Sequence, residues 1–307
     1  MPNDDKLVSF LSLDDKSTSI IKVIGVGGGG GNAVNHMYNE GIEGVTFALC
    51  NTDNQALARS PIPVKLQLGP TITKGLGAGN CPSKAKEAAE ESIEDIRRLL
   101  SDGTQMVFIT AGMGGGTGTG AAPVVARVAK EMGILTIGIV TIPFLFEGRD
   151  KILQAIDGVD AIKENVDALM IINNERLRSI YADLTFVNAF TKADDTLSIA
   201  ARSIVEIITI EGTMNLDFAD VSTTLRNGGV AIISTGLGEG DARVENAIKD
   251  ALHSPLLNNT DIVNAQRVLI NLSFSEESNF MMDEVNAIHE FMQNLNSNVK
   301  VIWGYAI

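Results

Sequence analysis

Only two cysteines and three histidines occur in 307 residues. Cys50 sits in an apolar run and Cys81 beside a glycine-rich loop, with no motif spacing between them. That excludes a disulfide framework and points to a reducing compartment. His36, His253 and His289 are far apart and lack ligand spacing, so no metal site is expected. Positive charge is scarce, 24 Lys plus Arg against 38 Asp plus Glu, for a formal net charge of −14. Such a surface repels nucleic acid and anionic lipid, although backbone N–H groups and helix ends can still hold a phosphate. Long apolar runs are also missing. The longest, ILTIGIVTIPFLF at 134–146, is shorter than a membrane span and contains Pro143. Residues 1–19 are polar with acidic pairs and lack the basic and apolar regions of a signal peptide. The expectation is a cytoplasmic protein without nucleic-acid partners or direct membrane insertion.

The remaining composition is globular, 45% apolar and 20% charged. Short apolar runs at 20–26, 44–50, 62–68, 106–111, 134–140 and 168–172 show little polar alternation, as strands buried on both faces do. Helical periodicity fills the gaps, notably at 83–100 and 119–132. This alternation predicts an α/β fold, a doubly wound and mostly parallel sheet. A long helix is predicted over 187–210, with Ile199, Ile204, Ile207 and Ile208 on one face, broken by GTMN at 212–215. Beyond it the chain reads as strands at 230–235, 267–274 and 299–307 between helices at 243–252 and 283–294. The expected division is a flexible tail (1–19), a nucleotide-binding domain (20–186), a central connecting helix (187–211) and a smaller α/β domain with a mixed sheet (212–307).

Glycine is concentrated in loops. GVGGGGGNAV (25–34) follows one predicted strand and opens a helix, where glycine permits close approach to a phosphate and the helix aims free N–H groups at it. Gly25, Gly27 and Gly30 also satisfy the dinucleotide fingerprint, with Asp53 as a candidate ribose acceptor. Glycines needed only for close packing would give the same pattern. A second loop, AGMGGGTGTGAAPVV (111–125), holds five glycines and two threonines between Gly114 and Gly120. Two such loops after separate strands imply two walls around one polyphosphate, whereas a dehydrogenase needs one. The usual P-loop, G-x-x-x-x-G-K-[ST], is absent. A third segment, KGLGAGNCP (74–82), reads by itself as a surface loop.

GGGTGTG at 114–120 closely resembles the signature loop of the tubulin/FtsZ family of GTPases. GVGGGGGNAVN (25–35), CNTDNQAL (50–57), GLGAG (75–79), FEGR (146–149), NNERL (173–177), KADD (192–195) and NLDFADV (215–221) match its bacterial cell-division branch in the same order. The resemblance covers residues 20 to 307. It implies a GTP/GDP site in which Gly28, Gly29, Gly30, Gly31 and Asn32, together with Gly114, Gly115, Gly116, Thr117, Gly118 and Thr119, cradle the phosphates. Ala78 and Gly79 would approach the γ-phosphate, Glu147 would bind the ribose, and Phe190 would stack near the base. Asn174 and Asp194 would hydrogen-bond guanine, whose N1–H and N2–H₂ suit a carboxylate; adenine offers no such donor pair. Without the resemblance, Asp194 on a helix would read as a solvated charge. Lys151 stands where the family usually has Arg, keeping the charge without the planar fork. Asn80-Cys81 replaces the common Ala-Asn.

No side chain in these loops is suited to orient an attacking water. Asp217 and Asp220, three residues apart at a helix start, are the catalytic candidates, although by spacing alone Asn215 or Asp217 reads better as a helix cap. The resemblance implies that this segment enters the pocket of the next subunit, with Mg²⁺ held mainly by the phosphates and hydrolysis tied to head-to-tail assembly at mid-cell. It also implies partners among division proteins. The family continues past this point into a peptide that binds membrane anchors; ending at Ile307, this chain is expected to lack it. Two alternatives stay open: a Rossmann-type NAD-dependent dehydrogenase, and a nucleotide-sensing structural protein without significant turnover.

Overall fold

The computed structural model describes residues 19–180, 185–210, 212, 214, 216–253, 264–295 and 298–306. The expected tail up to residue 18, the cap candidate Asn215 and the terminal Ile307 lie outside them. The first half of the chain alternates strand and helix: β1 (Ile21–Val26), α1 (Gly27–Asn39), β2 (Thr46–Asn51), α2 (Asn54–Arg59), β3 (Val64–Gln67), α3 (Pro70–Thr73), α4 (Pro82–Glu91), α5 (Ile93–Leu100), β4 (Met106–Gly112), α6 (Gly116–Glu131), β5 (Leu135–Ile142), α7 (Arg149–Lys163), β6 (Ala168–Asn173) and α8 (Asn174–Ile180). Then come α9 (Phe186–Thr209), α10 (Phe218–Leu225), β7 (Gly229–Val230), α11 (Arg243–Leu252), β8 (Arg267–Ser273), α12 (Val285–Gln293) and β9 (Lys300–Ala306).

The main sheet has the order β3-β2-β1-β4-β5-β6-β7, and every pair in it is parallel. Strand β4 shows why its sequence lacks polar alternation. Met106 and Phe108 join the core under α1 and α9, while Val107 and Ile109 join the core under α4 to α7. Both faces are covered, so both must be apolar. Lys22 in β1 is tolerated because its buried ammonium donates to Leu99 O and Asp102 Oδ2, each at 2.6 Å. The order 3-2-1-4-5-6 reverses between β1 and β4, which opens a crevice beyond the carboxyl ends of those strands.

Two expected elements differ. The helix at 83–100 divides at Ser92, whose hydroxyl accepts the Gly69 N–H at 2.9 Å and so joins the kink to the loop before α3. The strand at 230–235 reduces to β7, which adds to the edge of the main sheet through Ala168 and Leu169 of β6. Asp167 draws it there: its carbonyl accepts from Gly229 N and its carboxylate from Asn227 N. The smaller sheet pairs β8 with β9 in parallel, and an antiparallel bridge, Met214 to Tyr305, makes the pairing mixed. Phe280 stacks on Phe274 at 4.4 Å between centroids, and a bidentate Arg243–Glu284 pair at 2.7 and 2.9 Å borders them.

Helix α9 is the long helix that the apolar periodicity predicts. Thr185 caps it through Asn188 N, and its 24 residues extend roughly 36 Å at 1.5 Å per residue. It leaves the carboxyl-end side of the sheet after α8. By Thr209 it has reached Gly44, which precedes β2 and therefore lies at the opposite edge.

Candidate functional site

Because the strands are parallel, every loop following a strand emerges on the same edge. The first two glycine loops occupy the switch-point crevice there, one after β1 and one after β4. Their glycines divide by role. A Cβ on Gly30 would lie 2.2 Å from Thr110 O, on Gly118 2.4 Å from Gly112 O, and on Gly27 2.8 Å from Gly118 N. These glycines let the two loops and strand β4 touch, so packing explains part of the pattern. Gly28 and Gly115 are different: a Cβ there would meet nothing within 4 Å. Gly29 approaches Gly112, whereas Gly31 and Asn32 are partly or fully exposed along the first turn of α1.

The third loop is part of the same construction. Gly116 approaches Ala78, Asn80 and Cys81, and a Cβ on Gly120 would lie 2.0 Å from Pro82 O. Ala78 is buried in this contact, while Gly79, at φ +63°, is exposed with open space around it. Thr52, at the end of β2, ties the walls together: its hydroxyl lies 2.7 Å from that of Thr117, and its carbonyl accepts from Gly77 N. The Thr119 hydroxyl accepts the Gly114 N–H at 2.9 Å, so it shapes its own loop. Gln154 of α7 donates to the carbonyls of Gly114 and Gly115 at 3.1 and 3.0 Å, which occupies those acceptors and pins the loop to α7. Thr52 falls within the CNTDNQAL match, whereas Gln154 carries no signal in the sequence.

Beyond β5 and β6 stand the remaining candidates. Glu147 accepts from Phe144 N at 3.0 Å and meets Lys151 Nζ at 3.3 Å, one helical turn away. Phe190 packs edge-on against buried Phe144 at 5.1 Å and keeps an exposed edge. Asn174 is buried, and its Oδ1 has no hydrogen-bond partner among the described residues. An unpaired buried acceptor costs about 1–3 kcal/mol, so this carbonyl fits a ligand that brings its own donor. Burial pushes the Asp194 carboxyl up to about 6, partly offset by His36 and reinforced by Asp195. The dehydrogenase candidate Asp53 is committed elsewhere: it caps α2 by accepting from Gln55 N and Ala56 N at 2.8 and 3.2 Å.

Asp217 and Asp220 are not brought to this crevice. They form a capping box at the start of α10, with Asp217 Oδ1 accepting Asp220 N at 3.0 Å and Asp220 Oδ2 accepting Asp217 N at 3.2 Å. Their segment follows the far end of α9, and α10 leads into β7 beside the amino end of β6.

The glycine roles give separable outcomes. Gly28→Ala adds a methyl to open space at the crevice, so nucleotide affinity falls while the melting temperature of the free protein holds. Gly118→Ala forces backbone apart and costs about 1–3 kcal/mol of stability. Thermal melts beside calorimetric titration with GDP distinguish the two.

Known proteins carry the same arrangement. Residues 20–182 match the Tubulin/FtsZ family, GTPase domain, and residues 229–307 the FtsZ family, C-terminal domain. The chain is 59% identical to the cell division protein FtsZ of Porphyromonas gingivalis over 98% of its own length and 66% of that protein's. Against FtsZ of Aquifex aeolicus it is 47% identical, covering 91% of this chain and 75% of the relative. The solved empty FtsZ dimer of M. jannaschii superposes with a TM-score of 0.84 at 40% identity, over 95% of this chain and 84% of that one. CetZ2 of Haloferax volcanii, solved as a GTPγS-bound protofilament, shares the fold at a TM-score of 0.76 and 20% identity, over 93% of this chain and 88% of that one. With the two glycine-walled loops, the switch-point crevice and the second domain all accounted for, the chain belongs to the Tubulin/FtsZ family.

Proposed function

We propose that this chain is the core of a tubulin-like GTPase of cell division that assembles head to tail and hydrolyses GTP between neighbouring subunits. The observation that carries this reading is the placement of its polar groups at two ends of one molecule. The phosphate-facing glycines, Asn174 and Asp194 lie at the carboxyl edge of the sheet; Asp217 and Asp220 follow α9 to the other edge. A carboxylate pair separated from its own phosphates by the length of that helix acts only on the nucleotide of the next copy. Identical subunits joined through unlike faces without ring closure form a filament.

In the pocket, backbone N–H groups of the first turns of α1 and α6 hold the phosphates, as helix N-termini do for anions. Asp194 accepts N1–H and N2–H₂ of guanine, Asn174 pairs with the same base, Phe190 covers it, and Glu147 accepts from the ribose. The three glycine segments offer no carboxylate, so Mg²⁺ is held by phosphate oxygens and water, consistent with its preference for retaining waters. Asp217 and Asp220 of the adjoining copy orient the attacking water, since phosphoryl transfer depends mainly on positioning and electrostatics. The domain division at 186 and 211 makes α9 the rod that sets the distance between the two half-sites. A cytoplasmic location at the division site and partners among division proteins belong to the same proposal.

Phosphate release per molecule, measured against protein concentration, tests it. A split site requires specific turnover to climb steeply with concentration and then level as filaments form. Constant specific turnover from dilute to concentrated protein contradicts the shared site, and release from ATP at equal rate contradicts the role given to Asp194.

A further inference from the structure

His36 and Glu40 lie one turn apart on α1, and α9 brings Asp195 to the same place. His36 Nε2 stands 2.7 Å from Asp195 Oδ1 and 3.3 Å from Glu40 Oε1. One ligand atom from each of the three lies within 4.8 Å of the others. Nε2 is itself buried, yet it makes no hydrogen bond among the described residues despite these short distances. An imidazole N–H aimed at a carboxylate 2.7 Å away would form one, so the nitrogen is directed off the in-line approach.

The carboxylates are held from behind. Glu40 Oε2 accepts from the Ser198 hydroxyl and from Arg202 at 3.0 Å, and Asp195 Oδ2 faces Lys192 Nζ at 3.9 Å. The oxygens that remain, Oε1 and Oδ1, are the two turned toward the imidazole. Outer groups that orient ligating oxygens in this way are a regular part of metal sites.

We propose that His36, Glu40 and Asp195 form a binding site for one divalent transition cation of the zinc type, bridging α1 and α9. One imidazole and two carboxylates suit Zn²⁺ or Co²⁺, whereas Mg²⁺ and Ca²⁺ prefer oxygen-only shells. Bonds of 2.0–2.2 Å at tetrahedral angles put neighbouring ligand atoms about 3.3 Å apart. The His36–Glu40 distance already matches, and the His36–Asp195 contact opens by about 0.6 Å to admit the ion. Water completes the shell on the exposed side. The expectation of no metal rested on the spacing of the three histidines alone; here one histidine joins a carboxylate one turn away, and the third ligand arrives through packing of α9 on α1.

The bridge joins the helix that begins at the first glycine loop to the residue next to Asp194. Cation binding therefore fixes the base-reading carboxylate relative to the phosphate cradle. That consequence rests on the proposed GTP site; the binding of the cation does not.

The test uses the full chain carrying Cys81→Ser, stripped of metal and nucleotide, and titrated with Co²⁺ and then Zn²⁺ in excess Mg²⁺. One saturable equivalent is expected, with the visible absorption of four-coordinate Co²⁺, displaced by Zn²⁺. His36→Asn, Glu40→Gln and Asp195→Asn each weaken binding at least tenfold and remove the rise in melting temperature that Zn²⁺ gives the parent. His253→Asn with His289→Asn changes nothing. Cooperative melts verify that each variant folds, and the two carboxylate variants preserve shape should the histidine variant fail. Absence of saturable binding overturns the proposal, as does binding that survives Asp195→Asn. A melting temperature that falls in Asp195→Asn but ignores Zn²⁺ in the parent assigns the cluster to a bare ion pair and overturns it too.

Discussion

Replacing Asp194 with asparagine weakens GTP binding about 100-fold or more while making the nucleotide-free protein more stable. Both effects follow from one partly buried carboxylate. Burial is the first cause of its rise from 3.8 to about 6, with His36 lowering it and Asp195 raising it. The folded state therefore holds the proton more tightly than the unfolded chain. This group's contribution is most favourable below pH 4 and is lost as pH rises through about 6. At neutral pH the free protein bears the cost of an ionised, partly desolvated group, on the order of 1–3 kcal/mol. Asparagine removes that cost, so the melting temperature rises by a few degrees. In the proposed site, however, guanine loses the anion that accepts both its donors and instead meets an NH₂ directed at its N1–H. Two hydrogen bonds to a charged group are worth about 3 kcal/mol or more, hence the factor of 100.

The same titration gives wild-type affinity a pH dependence. Guanine requires the ionised form, so the association constant holds at pH 7 and above and falls up to tenfold per pH unit below about 6. Calorimetry with GDP across that range, beside melts of both proteins, measures each effect. Flat affinity from pH 7.5 to 5 would remove Asp194 from the base site.

The second large effect separates binding from turnover. Asp217→Asn and Asp220→Asn leave GTP affinity unchanged and reduce hydrolysis by about 100- to 1000-fold, the usual cost of losing a group that orients or stabilises the reacting species. Asparagine is chosen because both aspartates form the capping box of α10. Alanine would also remove the cap, at about 1 kcal/mol, and confuse stability with catalysis. The decisive measurement mixes Asp217→Asn with Asp194→Asn. The first binds GTP but lacks the attacking machinery; the second binds poorly but presents intact carboxylates. Mixed filaments place one beside the other, so phosphate release recovers in the mixture alone. Were the mixture as inactive as its parts, or were both aspartate variants to lose GTP binding, the shared site would fail.

Much of the fold is legible along the chain because the information is local. A strand buried on both faces is apolar almost throughout, and that property marks β1, β2, β4, β5 and β6 in the sequence, with Lys22 the charged exception in β1. A glycine run between such a strand and a helix cannot hide, and two of them argue for two walls. The differences have specific causes. Ser92 reads as one residue in a helical run until Gly69 needs its hydroxyl. The run at 230–235 has strand composition, yet Asp167 takes its first residues to the edge of the main sheet and leaves the rest outside any strand. Spacing favours Asp217 as a helix cap, and it is one; the catalytic role proposed for it concerns the same carboxylate.

By itself, then, the sequence determined the alternation of buried strands and helices, the two glycine loops between strand and helix, and the acidic pair that starts α10. Each depends on neighbours within a dozen residues, through periodicity, backbone freedom and capping. Only the tertiary structure decided that the third glycine segment closes against the second, that Gln154 binds the loop carbonyls, and that Asp195 meets His36. It also put α10 at the opposite edge from the crevice. These outcomes depend on which surfaces pack across long separations, and a linear pattern of polarity carries no record of which faces will meet.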